Sequence, residues 1–99
     1  MSRVFGDRAA ELPGASLRPL TGHTMGSVGA IDSIACLLAI EEGLVPATRD
    51  HRELDPGLPG PLRILRRALR GPVRVALNTV SGFGGANAAL VIRRWEGST

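Results

Sequence analysis

The longest apolar stretch of the chain, residues 28–40, has ten apolar residues in thirteen positions. Wound at 3.6 residues per turn, they leave no broad polar face, which predicts a helix over residues 25–42 that is buried on nearly all sides. Gly43 is placed to end it in a left-handed conformation, Thr24 or Thr21 is its candidate N-cap, and Glu41 and Glu42 sit at the unfavourable negative end of its dipole. Around this helix the pattern is weaker. Residues 3–12 read as a short helix ending at Pro13-Gly14, and residues 15–17 as a short strand. Residues 47–61 are a charged, proline-rich connection. Residues 61–70 read as an amphipathic helix, with Leu62, Leu65 and Leu69 on one side and Arg63, Arg66, Arg67 and Arg70 on the other. Residues 73–80 and 88–94 alternate as strands around a glycine-rich turn, which makes them antiparallel neighbours.

Length turns the helix into a problem. A chain of 99 residues is one small domain, 1–99, and chains of this size bury only about 60–65% of their unfolded surface. With three aromatic residues and one cysteine, Cys36, it has few large rings for a core and no internal disulfide. A helix apolar all round therefore asks for more protein than this chain comfortably supplies. The lone thiol and the charged first ten residues, which carry no apolar leader, fit a cytoplasmic protein. The apolar stretch is too short to span a membrane and contains Asp32.

Charge is distributed unevenly. Residues 1–55 hold five Arg against eight acids, and residues 56–99 hold seven Arg against Glu96 alone. A basic half raises the prospect of a small Arg-rich binder of nucleic acid or of an anionic membrane surface. That reading leaves the apolar helix unexplained, and scarce aromatics weaken any base-stacking mode.

Chemistry is available at few places. His23 lies between glycine and threonine at the start of the apolar helix, where burial and the helix N-terminus both favour a neutral imidazole able to donate a hydrogen bond. His51, in a run of charged residues, reads as a solvated loop residue. Cys36 falls mid-helix, where thiolate formation is disfavoured. No ligand set has metal-site spacing, and no Ser, His and acid cluster appears. The segment Ser81-Gly82-Phe83-Gly84-Gly85-Ala86-Asn87 lacks the Lys of a phosphate loop and leads into a strand. It is either a tight turn or a place where backbone N–H groups approach a developing oxyanion.

Taken together, TGHTMGSVGA at residues 21–30, the apolar helix, VPAT at 45–48 and NTVSGFGGANAAL at 78–90 resemble the C-terminal part of the beta-ketoacyl synthases, the condensing enzymes of fatty-acid and polyketide synthesis. The resemblance runs over residues 4–94 and implies the C-terminal portion of a thiolase-like α/β fold. In it a buried helix packs on a mixed sheet with an antiparallel C-terminal strand pair, incomplete as a single chain. It implies that His23 is the second catalytic His of a decarboxylative Claisen condensation. It also implies that Phe83 supplies an oxyanion-hole N–H and a gating ring, that Thr21, Gly82, Gly84, Gly85 and Asn87 belong to the substrate-binding loops, and that Arg18 stands where the family has Lys. No residue of the chain matches the family's nucleophilic Cys or first His.

The implied partners are an N-terminal ketosynthase portion supplying those two residues and an acidic acyl carrier protein, for which Arg63, Arg66, Arg67 and Arg70 are candidate contacts. A dimer is implied if the enzyme assembles. No cofactor or metal is expected beyond the carrier's phosphopantetheine. An inactive remnant, or a non-catalytic subunit of the chain-length-factor kind, is the alternative within the family.

Overall fold

The computed structural model describes residues 1–58, 60 and 62–97. In chain order the elements are α1 (Ser2–Phe5), running on into a 3-10 turn (Gly6–Ala10), β1 (Pro13–Gly14), α2 (Arg18–Thr21), a 3-10 turn (Met25–Ser27) and α3 (Val28–Glu42). They are followed by β2 (Leu44–Val45), β3 (Arg63–Ile64), β4 (Leu69–Arg70), β5 (Val75–Ser81), a 3-10 turn (Phe83–Gly85) and β6 (Asn87–Arg93). The strands form separate pairs, β1 with β3, β2 with β4 and β5 with β6. The chain divides into two compact units, Met1–Gly22 with Val45–Leu69, and His23–Leu44 with Arg70–Thr99.

In the first unit β1 runs parallel to β3, with Pro13 opposite Arg63 and Gly14 opposite Ile64. The Leu65 N–H donates to the Gly14 carbonyl at 2.9 Å, and the Thr48 N–H donates to the Leu65 carbonyl at 2.8 Å. Thr48 is buried, and its Oγ1 accepts from the Ser16 N–H at 2.9 Å, so a hydroxyl does there what a third strand would do. For this reason residues 15–17 are not the expected strand. The helix expected over residues 61–70 is also absent; Pro61 lies outside the described residues, and the rest forms β3, a turn and β4. As a helix this short segment would stack Arg63, Arg66, Arg67 and Arg70 at three- and four-residue spacings, where like charges repel. Pairing with β1 satisfies the backbone of Arg63 and Ile64 without that repulsion.

The second unit is α3 laid on the β5–β6 hairpin. The antiparallel register runs from Val75 opposite Arg93 to Ser81 opposite Asn87. Alternation sends Ala76, Asn78 and Val80 to one face with Ile92, and leaves Val75, Leu77 and Thr79 exposed on the other. The helix axis is fixed at both ends. Near its start, a Cβ on Gly29 would lie 3.8 Å from Val80 Cγ2, and the Asn78 amide donates to the Gly29 carbonyl and to Ser33 Oγ, each at 3.1 Å. Near its end the Arg94 guanidinium donates to the Ile40 carbonyl at 2.8 Å. The helix therefore runs antiparallel to β5, its start over the strand's C-terminal end.

Burial of α3 is one-sided. Val28, Ala39 and Ile40 are buried, whereas Ile34, Leu37 and Leu38 are 56, 53 and 51% exposed. Those three fall at i, i+3 and i+4, one continuous stripe. The helix that the sequence paints apolar all round is covered along one side by the hairpin and bare along another. No helix of the described residues is long and apolar enough to cross a membrane.

Both expected N-caps give way to a different start. Thr21 closes α2, its hydroxyl donating to the Leu17 carbonyl at 3.1 Å, and Thr24 precedes the 3-10 turn that leads into α3. The N-cap of α3 is Ser27, which makes no side-chain capping bond; its hydroxyl donates backward to the Thr24 carbonyl at 2.8 Å. At the other end Gly43 caps as expected, with φ 63 and ψ 45 and its N–H on the Ala39 carbonyl. The Arg94 guanidinium, on the Ile40 carbonyl, places a cation at this negative end of the helix dipole. A Cβ at Gly43 would stand 3.0 Å from the Gly71 carbonyl oxygen. Gly43→Ala is accordingly expected to lower the unfolding free energy by about 1–2 kcal/mol from the left-handed backbone alone, read as a lower midpoint in urea denaturation followed by circular dichroism.

Candidate functional site

The approach to α3 is a tight, partly strained turn. Gly22 has φ 73, which glycine adopts freely, and Met25 has φ 57, which costs a residue with a Cβ about 1–2 kcal/mol. The strain directs the Met25 N–H back onto His23 Nδ1 at 3.0 Å. A ring nitrogen that accepts a hydrogen bond carries no proton. The imidazole proton of this arrangement therefore sits on Nε2, which is left as a donor. His23 is exposed, because α3 begins only at Val28 and His23 stands in the turn before it. The burial that the sequence suggested is thus absent, and a backbone amide sets which ring nitrogen is the acceptor.

The second loop follows β5. The Gly82 N–H donates to the Ala86 carbonyl at 2.7 Å and closes it, and Gly84 and Gly85 take φ 73 and 79 inside it. Two consecutive positive φ values suit glycine, which accounts for the Gly-Gly pair. Asn87 Nδ2 donates to the Gly85 carbonyl at 3.3 Å and braces the exit into β6. Phe83 heads the 3-10 turn, so its N–H has no partner within that turn, and its ring is fully exposed.

His23, Gly82, Phe83, Gly84, Gly85 and Asn87 thus all belong to the second unit, and both loops leave from the end where Gly29 meets Val80. Arg18 and Thr21 belong to the first unit, in α2, where the Arg18 N–H donates to Ser16 Oγ at 3.3 Å. Arg63, Arg66, Arg67 and Arg70 are all exposed, but with no helix over residues 61–70 they do not share a helix face. Arg63 donates to the Glu11 carbonyl at 3.4 Å and Arg66 to the Arg52 carbonyl. Cys36 is half-buried, and its thiol is pushed up by burial and then by the Asp32 carboxylate. Among the described residues no group of three or more His, Cys, Asp and Glu could hold a metal ion. Met25 is the site residue that sequence reasoning missed, since no side-chain pattern announces a left-handed methionine.

A buried-side helix on an antiparallel hairpin, with a histidine that follows glycine and a glycine turn at one end, defines the C-terminal portion of a thiolase-like condensing fold. The chain belongs to the beta-ketoacyl synthases: the family profile described as beta-ketoacyl synthase, C-terminal domain, matches residues 1–52. The ketoacyl synthase alpha subunit of the tetracenomycin polyketide synthase of Streptomyces glaucescens is 36% identical over 97 residues, 93% of this chain and 21% of that protein. Among solved structures, the ishigamide ketosynthase/chain length factor superposes with a TM-score of 0.81 at 38% identity, over 95% of this chain and 23% of that one. A type II polyketide synthase acyl-carrier protein in complex with its ketosynthase bound to the hexaketide gives 0.86 at 32% identity, over 96% of this chain and 23% of that one. The chain spans about a fifth of the length of these relatives.

Two measurements check the local chemistry. Nitrogen-15 spectra of the neutral His23 ring are expected to show Nδ1 as the unprotonated nitrogen, and Met25→Pro, which lacks the N–H and cannot adopt positive φ, should mix the two tautomers. For Cys36 the folded thiol holds its proton to higher pH than the unfolded one. The folded state therefore loses stability as pH rises through the ordinary thiol range. Iodoacetamide alkylation of Cys36 at pH 8–9 should accordingly run slower in the native chain than in the chain unfolded in urea.

Proposed function

We propose that the chain supplies the second catalytic His and the oxyanion and gating loop to a beta-ketoacyl synthase of fatty-acid or polyketide synthesis, whose nucleophilic cysteine and first His stand outside these residues. The observation that carries this reading is the His23 turn. It holds Nε2–H as a donor at the end of the unit from which the Phe83 loop also leaves. In the condensation, a malonyl thioester on a carrier protein loses carbon dioxide, and the resulting enolate carbon attacks the acyl group held on the cysteine, releasing its thiolate. His23 Nε2–H donates to the malonyl thioester oxygen, where the enolate charge gathers. The Phe83 N–H donates to the oxyanion of the attacked acyl carbonyl, and its exposed ring stands over the acyl entrance. Arg18 takes the place of a Lys in the family pattern and keeps its positive charge.

No cofactor of the protein's own enters; the acyl groups arrive on phosphopantetheine. The similarity to a ketosynthase solved with its acyl-carrier protein supports a carrier as partner, and the exposed Arg63, Arg66, Arg67 and Arg70 offer it positive charge. Cys36, mid-helix and with its thiol pushed up, does not act as the nucleophile.

Assembled with a ketosynthase portion that carries the cysteine, the chain is expected to restore condensation of acyl and malonyl carrier thioesters. His23→Ala should then lower condensation by about 10²- to 10⁴-fold while leaving acylation of the cysteine in place. Condensation at the wild-type rate with His23→Ala would overturn the reading.

A further inference from the structure

Asn78 is a polar side chain on the apolar face of an alternating strand, 9% exposed, between Ala76 and Val80. A buried amide in such a place needs partners, and here it has two. Its Nδ2 donates to the Gly29 carbonyl and to Ser33 Oγ, each at 3.1 Å, and the Ser33 hydroxyl donates to the same Gly29 carbonyl at 2.7 Å. The Gly29 carbonyl can only accept, so the amide is oriented with its NH2 toward the helix. Both of its protons are used, and the three groups close a triangle between β5 and the first turns of α3. Two residues further along β5, Val80 lies against Gly29, where any larger residue would bring a Cβ to 3.8 Å from Val80 Cγ2. Beyond Gly29 toward the N-terminus comes the His23 turn; beyond Val80 toward the C-terminus comes Phe83. Asn78 touches neither loop, yet it ties together the two elements from which they depart.

We propose that Asn78, with Ser33, is a positioning residue that holds the start of α3 in register with the end of β5, and so fixes the separation between His23 and the Phe83 amide. The proposal rests on the ketosynthase reading for its purpose, and on the hydrogen-bond triangle alone for its substance. A wholly apolar contact at this place would let the helix slide along the strand; a donor pair directed at one carbonyl and one hydroxyl does not. The opposite end of the same helix is held separately by Arg94 on the Ile40 carbonyl, which provides an internal control.

The test is amide hydrogen exchange on the full chain, read by NMR. The Ser33 and Gly82 amides report the near end, and the Gly43 and Arg94 amides, bonded to the Ala39 and Arg74 carbonyls, report the far end. Asn78→Asp keeps the shape but turns donors into acceptors facing a carbonyl. It is expected to lower protection at Ser33 and Gly82 by about tenfold to a hundredfold, with Gly43 and Arg94 nearly unchanged. It should also broaden the His23 and Phe83 resonances together. Arg94→Ala should give the reverse pattern.

If Asn78→Asp does not fold, Ser33→Ala, which leaves the bond to the Gly29 carbonyl, is expected to show the same near-end loss at smaller size. Uniform loss of protection in Ser33→Ala, unchanged protection in Asn78→Asp, or free exchange of Ser33 and Gly82 in the wild-type chain would each overturn the proposal. None of these readouts uses activity, so failure here leaves the His23→Ala result standing, and failure of the ketosynthase reading leaves this one standing.

Discussion

Everything in the second unit depends on how α3 is set against the β5–β6 hairpin. The helix is hydrophobic almost all round, so burial alone would accept many rotations and many slides along the sheet. What selects one is polar: Asn78 at one end and Arg94 at the other, each donating to a helix carbonyl. At position 29 the helix start faces Val80, where a Cβ would meet Val80 Cγ2 at an ordinary contact distance of 3.8 Å. The consequence is that two loops far apart in sequence, around His23 and around Phe83, issue from a single end of the unit.

Loop conformation then carries the chemistry. On the Phe83 side it is carried by glycine, at Gly84 and Gly85, where positive φ is free. On the His23 side it is carried by Met25, where positive φ is not free, and the strain is spent on directing one N–H at Nδ1. A hydrogen bond of this kind fixes which imidazole nitrogen is the donor without needing the ring to be buried. The exposure of His23 and Phe83 is therefore compatible with the roles proposed for them.

How far the residues announced this differs from place to place. The helix, its Gly43 cap, the two strands and the glycine turn were legible, because periodicity of 3.6 or 2 and the glycines report local backbone states directly. Residues 61–70 misled, since leucines and arginines at helical spacing also suit short strands, and pairing with β1 decides between them. Residues 15–17 misled for the related reason that the Thr48 hydroxyl, 32 residues away from Ser16, takes the place of a strand partner. Asn78 was visible as a polar residue in an apolar alternation, but its partners lie 45 and 49 residues away. Met25 gave no signal at all, because its conformation is imposed by the turn around it.

The apolarity of α3 remains to be placed. A side chain that helps fold the unit must gain contacts within it, and Ile34, Leu37 and Leu38 gain them over only part of their surface; each keeps about half of it in water. Val75, Leu77 and Val91, on the outer face of the hairpin, are 57, 38 and 67% exposed. At roughly 25 cal/mol per Å² of apolar surface, the part of these stripes left in water gives nothing to the stability of the chain until something covers it. Relatives about five times as long possess the material to do so, and the ketosynthase reading has a second need for that material, the cysteine. One requirement comes from packing and the other from chemistry. Under the proposed function, a ketosynthase portion that carries the cysteine would meet both.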